Sequence, residues 1–285
     1  MSTHVPRLFA GLVDDAAVFP PGSAALPDAV GAHRRHRTAW YADLVGPLLL
    51  PASTLPELPD LLGPDEPVAV GVIGDVPIGQ LDAALAEADP RITVRQVEAA
   101  VAKRGEDPQP GLAELVKLAE RLGAIPVYAE IPLTFGLMGA LDAVAGARAG
   151  GLRVAAKFRT GGLAAELFPT PIELAAVICA CRDRKLPFKL TAGLHHAVRH
   201  RDPETGFTHH GFVNVLAATL AATEDAEVDV VAELLAATDP VRLVERARAD
   251  RETERPLWIG YGSCSIEEPL TDLIRLGLVN GGYDE

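Results

Sequence analysis

Two short stretches carry the residue types best suited to chemistry: Ala156-Lys157-Phe158-Arg159-Thr160-Gly161-Gly162 and Phe188-Lys189-Leu190-Thr191-Ala192-Gly193-Leu194. Each places a lysine four residues before a glycine. On β-strands, with Phe158 and Leu190 facing outward, alternation sends Lys157, Arg159, Lys189 and Thr191 to the inner face. Burying an ammonium is expensive unless it is paired or loses its proton. A second cation on the next strand, roughly 5 Å away, is expected to lower its pKa further. A neutral amine near pH 7 attacks carbonyls. The structural reading of the same residues is a set of buried ion pairs with Glu130 or Asp14.

Acids and histidines stand where they could serve such an amine. Asp14 follows the first strand, and Glu130 follows the fifth with Tyr128 on the same face. Parity places Asp14, not Asp15, inside, because Leu12 then also faces inward. Glu98, after strand four, reads equally well as surface charge. Five of the eight histidines, His195, His196, His200, His209 and His210, fall between positions 195 and 210. His195 and His196 suit a general acid or base at the strand-seven mouth. The alternative is a divalent metal held by His195, His196 and Glu130. Against it, Arg199, Arg201 and two lysines lie nearby, and no H-E-x-x-H spacing is present. No metal or other cofactor is assigned. His210 and Asn214, one turn apart at the start of a predicted helix, could face the site together.

A third feature is Gly260-Tyr261-Gly262-Ser263-Cys264-Ser265, between the last strand and a helix beginning near Ile266. Small residues there, Gly262 and Ser263 above all, leave backbone N–H groups free for a phosphate or carboxylate. A capping box from Ser265 to Glu268 explains the same residues. Gly161 and Gly162 are a second anion candidate.

The elements that must position these groups repeat along the chain. Candidate strands are Leu8 to Asp14, Leu44 to Pro51, Pro67 to Ile73, Ile92 to Glu98, Ile125 to Ile131, Arg153 to Arg159, Pro187 to Thr191 and Leu257 to Tyr261. Amphipathic stretches alternate with them, as in βα units. Gln109 to Leu122 spaces Leu112, Leu115, Val116, Leu118, Ala119 and Leu122 on one face. Thr170-Pro171-Ile172-Glu173 has the form of a helix start with a capping box. Eight units without a long linker, and no G-x-G-x-x-G after strand one, predict an α/β fold. It is a single (β/α)8 TIM-type barrel over residues 1 to 285. Between strands seven and eight, His195 to Arg255 is a helical insertion of two or three helices, expected over or beside the barrel mouth.

A net charge of −13 without a basic stripe excludes nucleic acid and anionic membranes as partners. Locally the balance inverts: between Arg148 and Arg201 ten Lys or Arg face three acids, which favours a small anionic metabolite. No segment is long and apolar enough to span a bilayer. Met1 to Arg7 lacks a signal-peptide pattern, so the expected compartment is the cytoplasm. Cys179 and Cys181 read as buried, reduced thiols. Outer helices leave a homo-oligomer open.

The two lysine-bearing strands, in their order and with their small-residue endings, resemble class I aldolases of the deoxyribose-phosphate aldolase type. That resemblance implies a Schiff base on Lys157 and a pKa-lowering role for Lys189. Arg159, where that family has a small residue, and His195-His196 depart from its pattern. Gly11-Leu12-Val13-Asp14, Phe19-Pro20-Pro21, Lys157 to Gly162, Lys189 to His196 and Gly260 to Ser265 together resemble an uncharacterised bacterial barrel family, which implies no activity. Three functions are thereby in view. The first is a Schiff-base lyase acting on a small phosphorylated or carboxylated carbonyl substrate. The others are a metal-dependent isomerase or hydrolase, and a non-catalytic barrel binding an anionic metabolite.

Overall fold

The computed structural model describes residues 4–281. Its strands are β1 (Val13–Asp15), β2 (Val45–Pro51), β3 (Val68–Gly74), β4 (Ile92–Ala100), β5 (Val127–Glu130), β6 (Val154–Arg159), β7 (Phe188–Thr191), β8 (His200–Arg201), β9 (Thr208–His209) and β10 (Trp258–Ser263). Its helices are α1 (Leu26–Thr38), α2 (Leu81–Ala86), α3 (Gln109–Leu122), α4 (Leu137–Ala149), α5 (Pro171–Asp183), α6 (Phe212–Thr223), α7 (Val228–Ala236), α8 (Val241–Ala249) and α9 (Glu267–Arg275).

β1 to β7 and β10 close into an eight-stranded barrel, each strand parallel to its neighbours, with β1 pairing β2 on one side and β10 on the other. This is the predicted TIM-type barrel. The outer layer follows the apolar periodicity: α3 buries Leu112, Leu115, Leu118 and Ala119. α5 opens with the predicted capping box, Thr170 Oγ1 accepting from the Glu173 N–H at 3.4 Å and Glu173 Oε2 from the Thr170 N–H at 2.7 Å.

Two elements differ from expectation. The first strand is shorter than Leu8 to Asp14, because Arg7–Phe9 form a 3-10 turn and Gly11 takes φ +56° before β1 begins. After β2 the chain forms a 3-10 helix, Ala52–Leu61, since Pro56 and Pro59 remove the donors an α-helix needs.

The insertion after β7 holds three helices and a two-residue antiparallel ribbon, β8 with β9. α6 is buried along nearly its whole length, which suits its lack of a polar face, because α5, α7 and α8 pack around it. The helices therefore thicken the barrel wall. The ribbon stays near the mouth, where His209 Nδ1 is 3.2 Å from the Gly193 carbonyl.

Candidate active site inside and above the barrel

The barrel interior holds a continuous chain of charge. Asp14 comes from β1, Gln96 and Glu98 from β4, Tyr128 and Glu130 from β5, Lys157 and Arg159 from β6, and Lys189 from β7. Glu130, Lys157 and Lys189 stand in register across three strands. Room for these side chains comes from glycines on the neighbouring strands. A Cβ at Gly46 would lie 1.9 Å from Asp14 Oδ1, and one at Gly71 would lie 2.9 Å from Gln96 Nε2.

Lys189 donates to Asp14 and, at 2.5 Å, to Glu98 Oε1, and its Nζ lies 5.2 Å from the centre of the Tyr128 ring. Gln96 Nε2 donates to Asp14 Oδ2 at 2.7 Å and to Glu98 Oε1 at 2.9 Å. Lys157 Nζ sits 2.6 Å from Glu98 Oε2 and 2.8 Å from Glu130 Oε2. Although Glu98 Oε2 has this ion contact, it accepts no well-aligned hydrogen bond. Lys157 is thus held between Glu98 and Glu130, and Lys189 between Asp14 and Glu98. Glu130 Oε1 accepts from Arg159 Nη1 at 3.2 Å. Exposure rises outward along the chain: the side chains of Lys157, Glu130 and Arg159 are 5%, 17% and 50% exposed.

The electrostatics overturn one expectation. Lys157 and Lys189 do both enter the barrel, but each amine ends above its ordinary pKa, not below it. Burial pushes each amine down, and the flanking carboxylates outweigh it: Glu98 and Glu130 raise Lys157, Asp14 and Glu98 raise Lys189. Burial pushes Glu98 up, yet the two ammoniums hold it down to about 2. Glu130 follows the same pattern, with burial overcome by Lys157 and then Arg159. Asp14 goes the other way. Its burial dominates the pull of Lys189, and the Glu98 charge adds to the rise. Of the three carboxyls, Asp14 holds its charge least firmly.

A cavity of about 580 Å³ opens between the loops that follow β4, β5 and β6. Glu130 and Arg159 border it, with Lys103, Arg104, Glu166 and Glu173, and its remaining wall is largely apolar. Lys157 is not in that wall. It reaches the cavity through Glu130, its ion partner.

Other predicted residues lie elsewhere. Thr191 pairs with Arg159 across β6 and β7 at the mouth. His195 Nδ1 is 2.9 Å from Glu268 Oε2 and 4.0 Å from Cys264 Sγ, contacts that raise its pKa, the thiol foremost. His196 Nδ1 is 3.2 Å from Asp272 Oδ2. Both imidazoles therefore turn toward α9, and neither borders the cavity beside Glu130.

His210 and Asn214 do not face the site. His210 Nε2 donates to the Pro169 carbonyl at 2.8 Å, while Asn214 accepts from the Arg199 N–H and donates to the carbonyls of Leu234 and Ala237. They tie the insertion to the barrel. Gly161 and Gly162 are packing glycines, since a Cβ would meet Gly193 Cα at 3.0 Å or Leu167 Cδ1 at 2.3 Å. In the Gly260 to Ser265 turn only half of the expected capping box forms, since the Glu268 carboxylate turns to His195. Ser265 Oγ accepts from the Glu268 N–H at 3.2 Å, Ser263 Oγ donates to the Ser265 carbonyl at 2.7 Å, and Gly262 packs on Leu49.

His195, His196 and Glu130, the three side chains of the metal alternative, are not brought together. Among the described residues no three His, Cys, Asp or Glu side chains converge on a common point. The rings of His196, His200 and His209 pack on one another instead, at centroid distances of 4.7 and 5.3 Å.

Nothing in the sequence marks Gln96 as a site residue, and Glu98 reads there equally well as surface charge. The signal for both was present but displaced: β4 carries an extra residue against β3, where Val70 pairs with Val94 but Gly71 with Gln96. Such a bulge breaks simple alternation. Among the described residues no helix is long and apolar enough to cross a membrane. Comparison of the chain with protein-family models, curated proteins and solved structures finds no match. The resemblance to class I aldolases accordingly rests on its two strands alone.

Proposed function

We propose that this chain is a lyase of aldolase type, acting on a small anionic carbonyl compound at the barrel mouth beside Lys157, Glu130 and Arg159. The observation carrying this reading is the Lys157–Glu130 contact of 2.8 Å, in which a buried amine is joined to a carboxylate that itself borders the cavity. Lys157 is the better candidate of the two lysines because its partner Glu130 borders the cavity, whereas Lys189 is held by Asp14 and Glu98, neither of which does.

In this mechanism the Lys157 ammonium passes a proton to Glu130, and its nitrogen lone pair attacks the substrate carbonyl carbon. The carbonyl π pair moves to oxygen, which takes a proton. Loss of water then gives an iminium; as the C–C bond breaks, Glu130 takes the β-hydroxyl proton and the electron pair moves into the C=N bond to give an enamine, whose protonation at carbon and hydrolysis release the second product and free Lys157. Arg159 pairs with the substrate anion. Because the carboxylates raise the Lys157 pKa, the free amine is a minor species at neutral pH, and imine formation should accelerate as pH rises toward that pKa. The test is borohydride reduction in the presence of pyruvate, glyoxylate or deoxyribose 5-phosphate at pH 7 to 9.5, read by peptide mass. Addition at Lys157, absent in Lys157→Met, is expected; no addition with any of the three abandons the imine.

A second reading is favoured by the raised lysine pKa values. Lys157 would stay an ammonium and polarise the carbonyl while Glu130 removes the α-proton. Its signature is solvent deuterium entering the pyruvate methyl group without trapping at Lys157, and loss of that exchange in Glu130→Gln.

A further inference from the structure

We infer that the anionic carbonyl compound taken here carries an apolar substituent, aliphatic or aromatic, and is not a sugar phosphate. The inference rests on the lyase reading and narrows its substrate class. The Glu130–Arg159 pair marks the barrel side of the cavity, at the ends of β5 and β6. The rest of the wall includes Ile131, Leu133, Leu137, Met138, Leu167 and Val177. At about 580 Å³ the space is within the range that encloses small organic ligands, and its few polar groups are of the kind that orient such a ligand. Sugar hydroxyls set against those aliphatic carbons would give up hydrogen bonds to water without replacement. An alkyl or aryl group loses nothing there and leaves water.

Two further observations agree. Phe135 and Leu163, on the loops after β5 and β6 that wall the cavity, are 86% and 96% exposed, and Met138 in the wall is 45% exposed. Met138 thus presents an apolar side chain both to the cavity and to solvent, where an apolar ligand would cover it. Thr134 lines the cavity, and its Oγ1 is buried without a hydrogen-bond partner, leaving a hydroxyl for a ligand oxygen.

The charges suit a carboxylate head. Glu173 is engaged by the Thr170 N–H and hydroxyl, and Glu130 by Lys157 and Arg159. Lys103 and Arg104 line the same space with no side-chain ion pair among the described residues; the Arg104 charge acts on Glu173, which leaves Lys103 as the cation to meet a ligand carboxylate.

The test is calorimetric titration of the full chain with phenylpyruvate, pyruvate and deoxyribose 5-phosphate, repeated on Ala176→Trp, which fills the cavity from the exposed side of α5, and on Met138→Glu. Phenylpyruvate should bind at least tenfold more tightly than either other compound, and both variants should erase that margin. Phenylpyruvate binding no better than pyruvate, the sugar phosphate binding best, or a margin that survives in both variants overturns the inference. Trapping at Lys157 separates the two claims. A trapped imine without an apolar preference refutes this substrate class and leaves the lyase standing. An apolar preference lost in both variants, with neither imine nor deuterium exchange, upholds the ligand class and refutes the lyase.

Discussion

Glu98 is the residue on which the buried chain of charge turns, because its two oxygens face one lysine each. Replacing it with glutamine keeps the shape and removes the shared charge, leaving Lys157 with Glu130 and Lys189 with Asp14. Breaking a buried pair from one side typically destabilises by about 3–5 kcal/mol, so Glu98→Gln should lower the urea midpoint markedly. It should also move imine trapping at Lys157 to lower pH, since one of the two charges raising that amine is gone. A destabilised variant with an unmoved trapping profile would show that Glu98 supports the fold without tuning the amine. His210 provides a second residue-scale prediction. Burial pushes its pKa down to about 4, against 6.5 in the unfolded chain, so between those values the unfolded state binds the proton and the folded state does not. The stabilisation is complete above pH 6.5 and is lost as pH falls toward 4, by about 3 kcal/mol. Unfolding free energies of wild type and His210→Gln, measured from pH 7.5 to 4, should converge as the pH falls.

At the scale of elements, the strands are shaped by what they leave out. Gly46 contributes an absence of side chain on β2, and the Asp14 carboxylate fills it. Gly46→Ala should force that carboxylate away from Lys189 and destabilise by about 1–3 kcal/mol, visible as a lower denaturation midpoint; an unchanged midpoint would mean that Asp14 relocates freely. This also bears on how far the elements and the site were legible in the sequence. Alternation around Phe158 and Leu190 correctly sent Lys157 and Lys189 inward, and parity chose Asp14, because those strands keep their period of two. Glu98 and Gln96 stayed ambiguous because β4 is bulged against β3. The opposite sign of the lysine shifts could not be read at all. It depends on which carboxylates reach each amine across the barrel, and chain order carries no such distances. The glycines at 161 and 162 misled for a related reason, since a glycine for close packing and one for anion contact look alike in one dimension.

For the molecule as a whole, the decisive event is closure, where β1 near the start of the chain meets β10 near its end and Val13 aligns with Tyr261. The repeat of eight strand-like segments made a barrel readable, because no other arrangement of eight parallel strands hides both edges. What fastens the seam was not readable. Arg255, just before β10, donates to the carbonyls of Leu8 at 2.6 Å and Ala10 at 3.2 Å on one side, and to those of Trp258 at 2.8 Å and Ile259 at 2.5 Å on the other. A guanidinium can bridge both sides because its donors point in several fixed directions, whereas an ammonium on the same stem cannot reach them together. Arg255→Lys keeps the charge and strands several carbonyls, each costing about 1–3 kcal/mol if buried and unpaired. The seam should therefore loosen before the rest of the barrel: hydrogen exchange in β1 and β10 should accelerate well above that in β4, β5 and β6, with a lower midpoint for global unfolding. Equal acceleration in every strand would locate the contribution of Arg255 in the stability of the whole barrel, and unchanged exchange at β1 and β10 would remove it from the closure altogether.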